Sequence, residues 1–294
     1  MDDTPIKRSG AKPENESQVT EERLNRKGTR LSADDMSEVG NRLRLRAAVV
    51  YEIIRQEGEE ELARAPRNLW WSGIAAGLSI GFSILGEALL RAYLPDVGWR
   101  HLIENLGYGT GFLIVILARQ QLFTENTLTA VLPAISAGKQ YTYWRVLRLW
   151  GIVLLANIVG TALFGSALAS GLFITEPVFD AVEALSAHLM EIPPIQMFLR
   201  GIVAGWVVAT LVWLLPSAEH SKIAIIFLMA WLIAALDLTH VVAGSVEAVF
   251  AFWTGHASLA DIVGGFLLPT LMGNIIGGSA LFALIAYAQV SEEI

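Results

Sequence analysis

The chain has 294 residues, 54% of them hydrophobic and only 17% charged, with a formal net charge of −7 and no cysteine. Disulfides, thiolate metal sites and cysteine nucleophiles are excluded, and the acidic balance gives no nucleic-acid signal. Most of the charge lies before residue 68. The remainder is a series of apolar runs, the pattern of a polytopic α-helical membrane protein with a polar N-terminal tail.

Residues 1–42 are rich in Asp, Glu, Lys, Arg and Ser and read as a disordered polar tail. No signal-peptide pattern precedes them, so the tail is expected in the cytoplasm. In residues 43–66, Val49, Val50, Ile53 and Ile54 form a short apolar stripe with acids clustered after it. This predicts an amphipathic helix on the cytoplasmic face or against the bundle; a helix in a small soluble cap is the alternative.

A six-span transmembrane domain is expected over 67–290. The first span is Leu69 to Leu90, with Trp70 and Trp71 as interfacial anchors. The second runs from Leu102 to Leu132 and is broken by RQQLFTENT, Arg119 to Thr127. The third is Val146 to Leu172, the fourth Met197 to Leu215, and the sixth Leu259 to Gln289 with Pro269 in its first half. The fifth, Ile223 to Trp253, is broken at DLTH. Lys139, Arg145, Arg148 and Lys222 lie in the loops beside spans two to five, whereas the loop Glu176 to Pro194 carries acids and neither Lys nor Arg. Basic loops face the cytoplasm, so both termini are expected inside a bacterial inner membrane.

The break in the fifth span is chemically informative. Ile223 to Leu236 is apolar throughout, and fourteen residues of helix rise roughly 21 Å, about two-thirds of the hydrocarbon core. Asp237, Thr239 and His240 therefore arrive inside the membrane, where ionisable groups and non-helical backbone are tolerated beside a pore or a protein-buried cavity. Two segment pairs reveal an internal repeat. GIAAGLSIG at Gly73 matches GIVAGWVVA at Gly201, and NIVGTALF at Asn157 matches NIIGGSALF at Asn274. The chain thus reads as two three-span copies, about 69–172 and 197–289. Three is odd, so the copies insert in opposite directions, an aquaporin-like 3+3 inverted repeat whose broken helices meet near the midplane. The second pair is offset by 117 residues, which carries Thr124 to position 241, beside His240.

The residues QLFTENT, LTH and LPTLMGNIIGG together resemble the formate/nitrite transporter (FNT) family, within it the YfdC-type branch, over roughly 45–290. Members of that family resemble aquaporins in protomer fold, form homopentamers and conduct through each protomer. On this resemblance Thr124 and His240 fall on the pore threonine and histidine, with Thr239 and Asp237 beside them. Leu122, Phe123, Tyr108, Phe112 and Ile233 fall on hydrophobic constriction positions. Where some members carry a lysine that attracts the anion, this chain has Leu189, next to His188. Arg119 and Glu125 flank the LFT motif as charge partners, Arg119 with Glu125 or Asp237, and Arg119 as a substitute for the missing lysine. Asn157 and Asn274 are expected to fix the loops.

The implied function is a channel or proton-coupled carrier for small monovalent anions such as formate or nitrite, or their neutral acids. A neutral-solute pore for water or ammonia and a non-conducting membrane sensor remain alternatives. No metal cluster, nucleophile–base pair or cofactor loop is visible in the sequence, so neither an enzyme nor a cofactor is expected. The expected partners are lipid, other copies of the chain and the small substrate. Each residue also has a structural reading: His240 as a helix cap, Thr124 as an N-cap, Asp237 as a partner of loop amides, and the apolar set as ordinary core.

Overall fold

The computed structural model describes residues 45–138 and 140–293, so the tail expectation for 1–42 lies outside the described residues. Every regular element among the described residues is helical. Helix α1, Ala47–Ala63, buries Val50, Tyr51, Ile54, Gly58 and Leu62, and the Tyr51 hydroxyl lies 2.7 Å from Ser136 Oγ. The apolar stripe is thus only half inward: Val50 and Ile54 are buried while Val49 is exposed.

Among the described residues, four helices are long and apolar enough to cross a membrane: Pro66–Tyr93 (α2), Thr142–Ala169 within α7 (Gln140–Ala169), Pro194–Ser217, whose α-helical part is α9 (Pro194–Leu214), and Asp261–Val290 (α12). Proline at the first helical positions of α2 and α9 fixes their starts, since the missing N–H is unneeded there and the preceding residue is held extended. The two remaining crossings are each made in pieces. The first comprises α3 (Arg100–Glu104), a tight turn at Asn105–Tyr108, α4 (Gly109–Leu117), and, after the break, α5 (Phe123–Thr129) and α6 (Val131–Ala137). The second comprises α10 (Lys222–Ala235) and α11 (Ala243–Trp253).

One expectation is corrected. The acidic segment Glu176 to Pro194 is not a loop: Glu176–Glu191 forms a sixteen-residue helix, α8, with Val178, Ala181, Val182, Ser186 and Leu189 buried. Its acids sit on the outward face of an amphipathic helix packed over α2 and α11. The outer faces of the long helices expose Leu155, Leu163, Leu199 and Val203, the surface a bilayer covers.

The two copies pack by the same device. A Cβ on Gly77 of α2 would collide with the Asn157 carbonyl of α7, and a Cβ on Gly205 of α9 would collide with the Asn274 carbonyl of α12. These are the small-residue crossings that let membrane helices approach backbone to backbone.

Candidate functional site

Both breaks end their first helix in the same way. Arg119 and Asp237 have left-handed φ values of 54° and 49°, conformations that cost a side-chain-bearing residue about 1–2 kcal/mol. Around them the Gln120 and Leu238 amides donate to the carbonyls of Val115 and Ile233 at 3.0 and 2.8 Å. The Arg119 and Asp237 amides reach Ile116 and Ala234 at 3.2 and 2.9 Å. This is the Schellman termination twice, with non-glycine residues in the glycine position.

Each break is then held by one buried asparagine. Asn157 Oδ1 accepts from the Phe123 amide at 2.9 Å, and its Nδ2 donates to the carbonyls of Gly73 and Gln121, each at 2.8 Å. Asn274 Oδ1 accepts from the Val241 amide at 2.9 Å, and its Nδ2 donates to the carbonyls of Gly201 at 2.9 Å and Thr239 at 3.0 Å. Both donors and one acceptor lone pair of each amide are used, so the loop amide and carbonyl that each one meets are satisfied without water. These bonds also correct the repeat register. Arg119 pairs with Asp237, Gln121 with Thr239 and Phe123 with Val241, an offset of 118 in the loops rather than 117. The counterpart of His240 is therefore Leu122, and that of Thr124 is Val242.

The halves meet where Thr124 Oγ1 lies 2.7 Å from His240 Nε2, both residues buried. His240 Nδ1 accepts the Ala243 amide hydrogen at 3.1 Å, so Nδ1 carries a lone pair and the proton of the neutral ring sits on Nε2. Nε2–H then donates to Thr124, which leaves the threonine hydroxyl hydrogen for an acceptor in the passage. Phe112 meets the imidazole edge-on at 5.2 Å, and Tyr108 stacks on Phe112 at 5.5 Å. Leu122, Phe112 and Ile233 are all buried. α5 and α11 both begin at this junction, so the positive ends of their peptide dipoles lie beside it.

A cavity lies on either side. On the orientation expected from the basic loops, the inner one, about 250 Å³, is lined by Glu57 and Glu61 of α1 together with Arg119, Gln121, Glu125 and Lys222. The outer one, about 70 Å³, is lined by Glu87, Tyr108, His188, Asp237, His240 and Glu247, among others. No residue lines both. Leu122 and Thr124 fall between Gln121 and Glu125 of the inner wall, and Thr124 is tied to His240 of the outer one.

Several site expectations change. Thr239 lines the outer cavity, but its hydroxyl hydrogen is committed to the Met197 carbonyl at 2.6 Å. The Phe123 ring turns away to meet Trp150 edge-on at 5.8 Å. Arg119 pairs with neither Asp237 nor, directly, Glu125. It bonds Glu57 of α1 at 3.3 Å and is largely exposed at the inner mouth. Asp237 is half-exposed, with Arg200 Nη1 at 3.9 Å and His188 Nε2 at 3.7 Å from its Oδ2. His188 and Leu189 both line the outer cavity. Sequence reasoning passed over Glu87. The available signal was a carboxyl three-quarters along an otherwise apolar span. It also passed over Gln121, whose side chain donates to Glu61 at 2.7 Å and accepts from Asn126 at 3.1 Å, a link visible only once α1 is in place.

Six crossings, two of them broken and each break pinned by one of two repeat-related asparagines, define a polytopic membrane channel fold. Residues 48–288 match the sequence profile described as "Formate/nitrite transporter". The chain is 46% identical over 253 residues to "Inner membrane protein YfdC" of Escherichia coli K12, covering 86% of this chain and 82% of that one. It is 24% identical over 263 residues to "Formate channel FocA" of the same strain, covering 81% of this chain and 91% of that one. The fold matches a solved structure titled "Pentameric formate channel with formate bound" with a TM-score of 0.68 at 20% identity, over 78% of this chain and 98% of that one. The chain belongs to the formate/nitrite transporter family, whose members are channels and transporters.

Proposed function

We propose that this protein is a homopentameric inner-membrane channel or proton-coupled carrier for small monovalent anions of the formate and nitrite type, or their neutral acids. Each protomer provides one path, and both termini lie in the cytoplasm. The observation that carries the reading is the Thr124–His240 bond between the two halves, set among apolar rings with a polar cavity on each side. Formate channels among the relatives support the substrate class. The basic residues Arg145, Arg148 and Lys222 support the orientation.

The chemistry follows from the constriction. An anion stripped of water between Phe112 and Leu122 loses several kcal/mol of hydration or more. Two donors aimed inward, His240 Nε2–H and the Thr124 hydroxyl, replace part of that shell by turning from each other to the substrate oxygen. The neutral acid passes the same rings at lower cost, its O–H donating to Thr124 Oγ1. Apolar walls without a fixed cation favour the small and the weakly charged over the large and the multiply charged.

Purified protein in liposomes tests this by uptake of labelled formate and nitrite between about pH 5.5 and 8. Saturable or pH-dependent uptake is expected. His240→Ala is expected to reduce it roughly ten- to a hundredfold, the loss of one strong hydrogen bond at the barrier. If water or ammonia moves and neither formate nor nitrite does, the reading is wrong.

A further inference from the structure

The outer cavity holds two carboxyl groups that the constriction chemistry does not use. Glu87 of α2 is 7% exposed and Glu247 of α11 is half-buried, and both line the cavity with Tyr108 and His240. Among the described residues neither has a hydrogen-bond or ion-pair partner. The cations nearby are turned elsewhere. Arg91, one turn along α2, bonds Glu104 of α3 at 2.9 Å, and Arg100 of α3 lies 3.3 Å from the same carboxylate. His101 of α3 lies 3.1 Å from the Ala235 carbonyl. Arg200 of α9 and His188 of α8 stand over Asp237 at the cavity rim, and Glu183 of α8 faces His256 at 3.8 Å. α4, which also packs against α2, presents no charged side chain. Two unpartnered carboxyls lining one small cavity are costly as a pair of free charges, and a proton taken up by one of them relieves that cost. His240 is poorly placed to hold it, because a second ring proton at Nδ1 would face the Ala243 amide hydrogen.

Resting on the channel reading above, we propose that Glu87 and Glu247 form a proton-loading site at the outer mouth, where a weak-acid anion becomes the neutral acid before it enters the constriction. Arg200 and His188 draw the anion to the rim. The O–H bond of the protonated carboxyl breaks, the proton passes to the substrate's oxygen, and the electron pair stays on the glutamate as carboxylate. Water at the mouth then reprotonates the glutamate, and on the inner side the acid dissociates to anion and proton. The substrates are therefore conjugate bases of weak acids. Nitrate and chloride, which do not keep a proton at neutral pH, are refused.

The test uses the full chain in liposomes carrying an internal pH dye, with labelled formate, nitrate and chloride as probes. Wild type should bring in one proton per formate without membrane current and should leave nitrate and chloride outside. Glu87→Gln combined with Glu247→Gln should slow formate entry at about pH 7.5 by roughly 10²-fold, the usual worth of a general acid, and much less at about pH 5.5, where free neutral acid is abundant. Glu247→Gln alone, at the half-buried position, should shift the pH profile the same way and serves if the double variant loses its oligomer. A wild-type pH profile in both variants overturns the proposal and leaves the channel reading standing. So does formate or nitrate carried as current by wild type. Absence of any formate or nitrite flux in wild type overturns both.

Discussion

Asn274→Ala is expected to loosen the second break. The substitution removes three buried hydrogen bonds, from the Val241 amide and to the carbonyls of Gly201 and Thr239. Polar bonds between membrane helices measure about 0.6 kcal/mol on average and up to about 1.7, so three lost together give about 2–5 kcal/mol. The same sum applies to Asn157→Ala, which frees the Phe123 amide and the carbonyls of Gly73 and Gln121. Asn274→Asp should be no milder, because it keeps the acceptor yet sets a carboxyl oxygen against two carbonyls. The assay is equilibrium unfolding in mixed micelles, read alongside formate flux in liposomes. Both alanine variants within about 0.5 kcal/mol of wild type, with flux intact, would refute the claim that these amides hold the breaks.

Two further perturbations follow from packing and charge. Gly77→Leu and Gly205→Leu each drive a side chain into the backbone of the crossing helix, and an overpacked crossing costs about 1–3 kcal/mol or more; the same unfolding assay should show it, and near-neutral variants would mean the helices are not in that contact. On α1, outside the spans, the Arg55 guanidinium, with Gln56 assisting, holds the Glu52 carboxyl down to about 2. Its folded-state pKa is depressed, so its contribution is whole above about pH 4.3 and is lost as pH falls toward about 2. The difference in melting temperature between wild type and Glu52→Gln should be constant from about pH 5 to 8 and should close below about pH 4. A gap that persists unchanged at low pH would contradict the pair.

The long helices and both breaks were legible because membrane solvent is unforgiving: a polar group inside an apolar run has few permitted places. Asp237 and Arg119 announced themselves in that way, although nothing local signals a left-handed φ at an arginine. The repeat was visible in its glycines and asparagines, which pack backbone to backbone. The loop register slipped by one because small apolar residues align almost equally well at neighbouring offsets, and only the bonds of Asn157 and Asn274 fix it. Helix α8 was hidden because its acids were read as solvent exposure without regard to the period of Val178, Val182 and Leu189. The partners of Thr239, Phe123 and Arg119 were not legible, for one shared reason. Their partners, Met197, Trp150 and Glu57, lie 27 to 62 residues away in sequence. Glu87 carried a signal and was passed over, since one carboxyl in the first span has no repeat partner to draw attention to it.

The account's central claim is that solute passes between Tyr108 of the outer cavity and the Thr124–His240 junction, and the chain's lack of cysteine offers a direct test. Tyr108→Cys places a single thiol at the inner end of the outer cavity, and Leu155→Cys, on the exposed face of α7, is the control. Formate flux through liposomes should stop when a small thiol-directed reagent modifies position 108, and should continue when it modifies position 155. Complete modification at 108, checked by mass spectrometry, with flux unchanged would contradict the account.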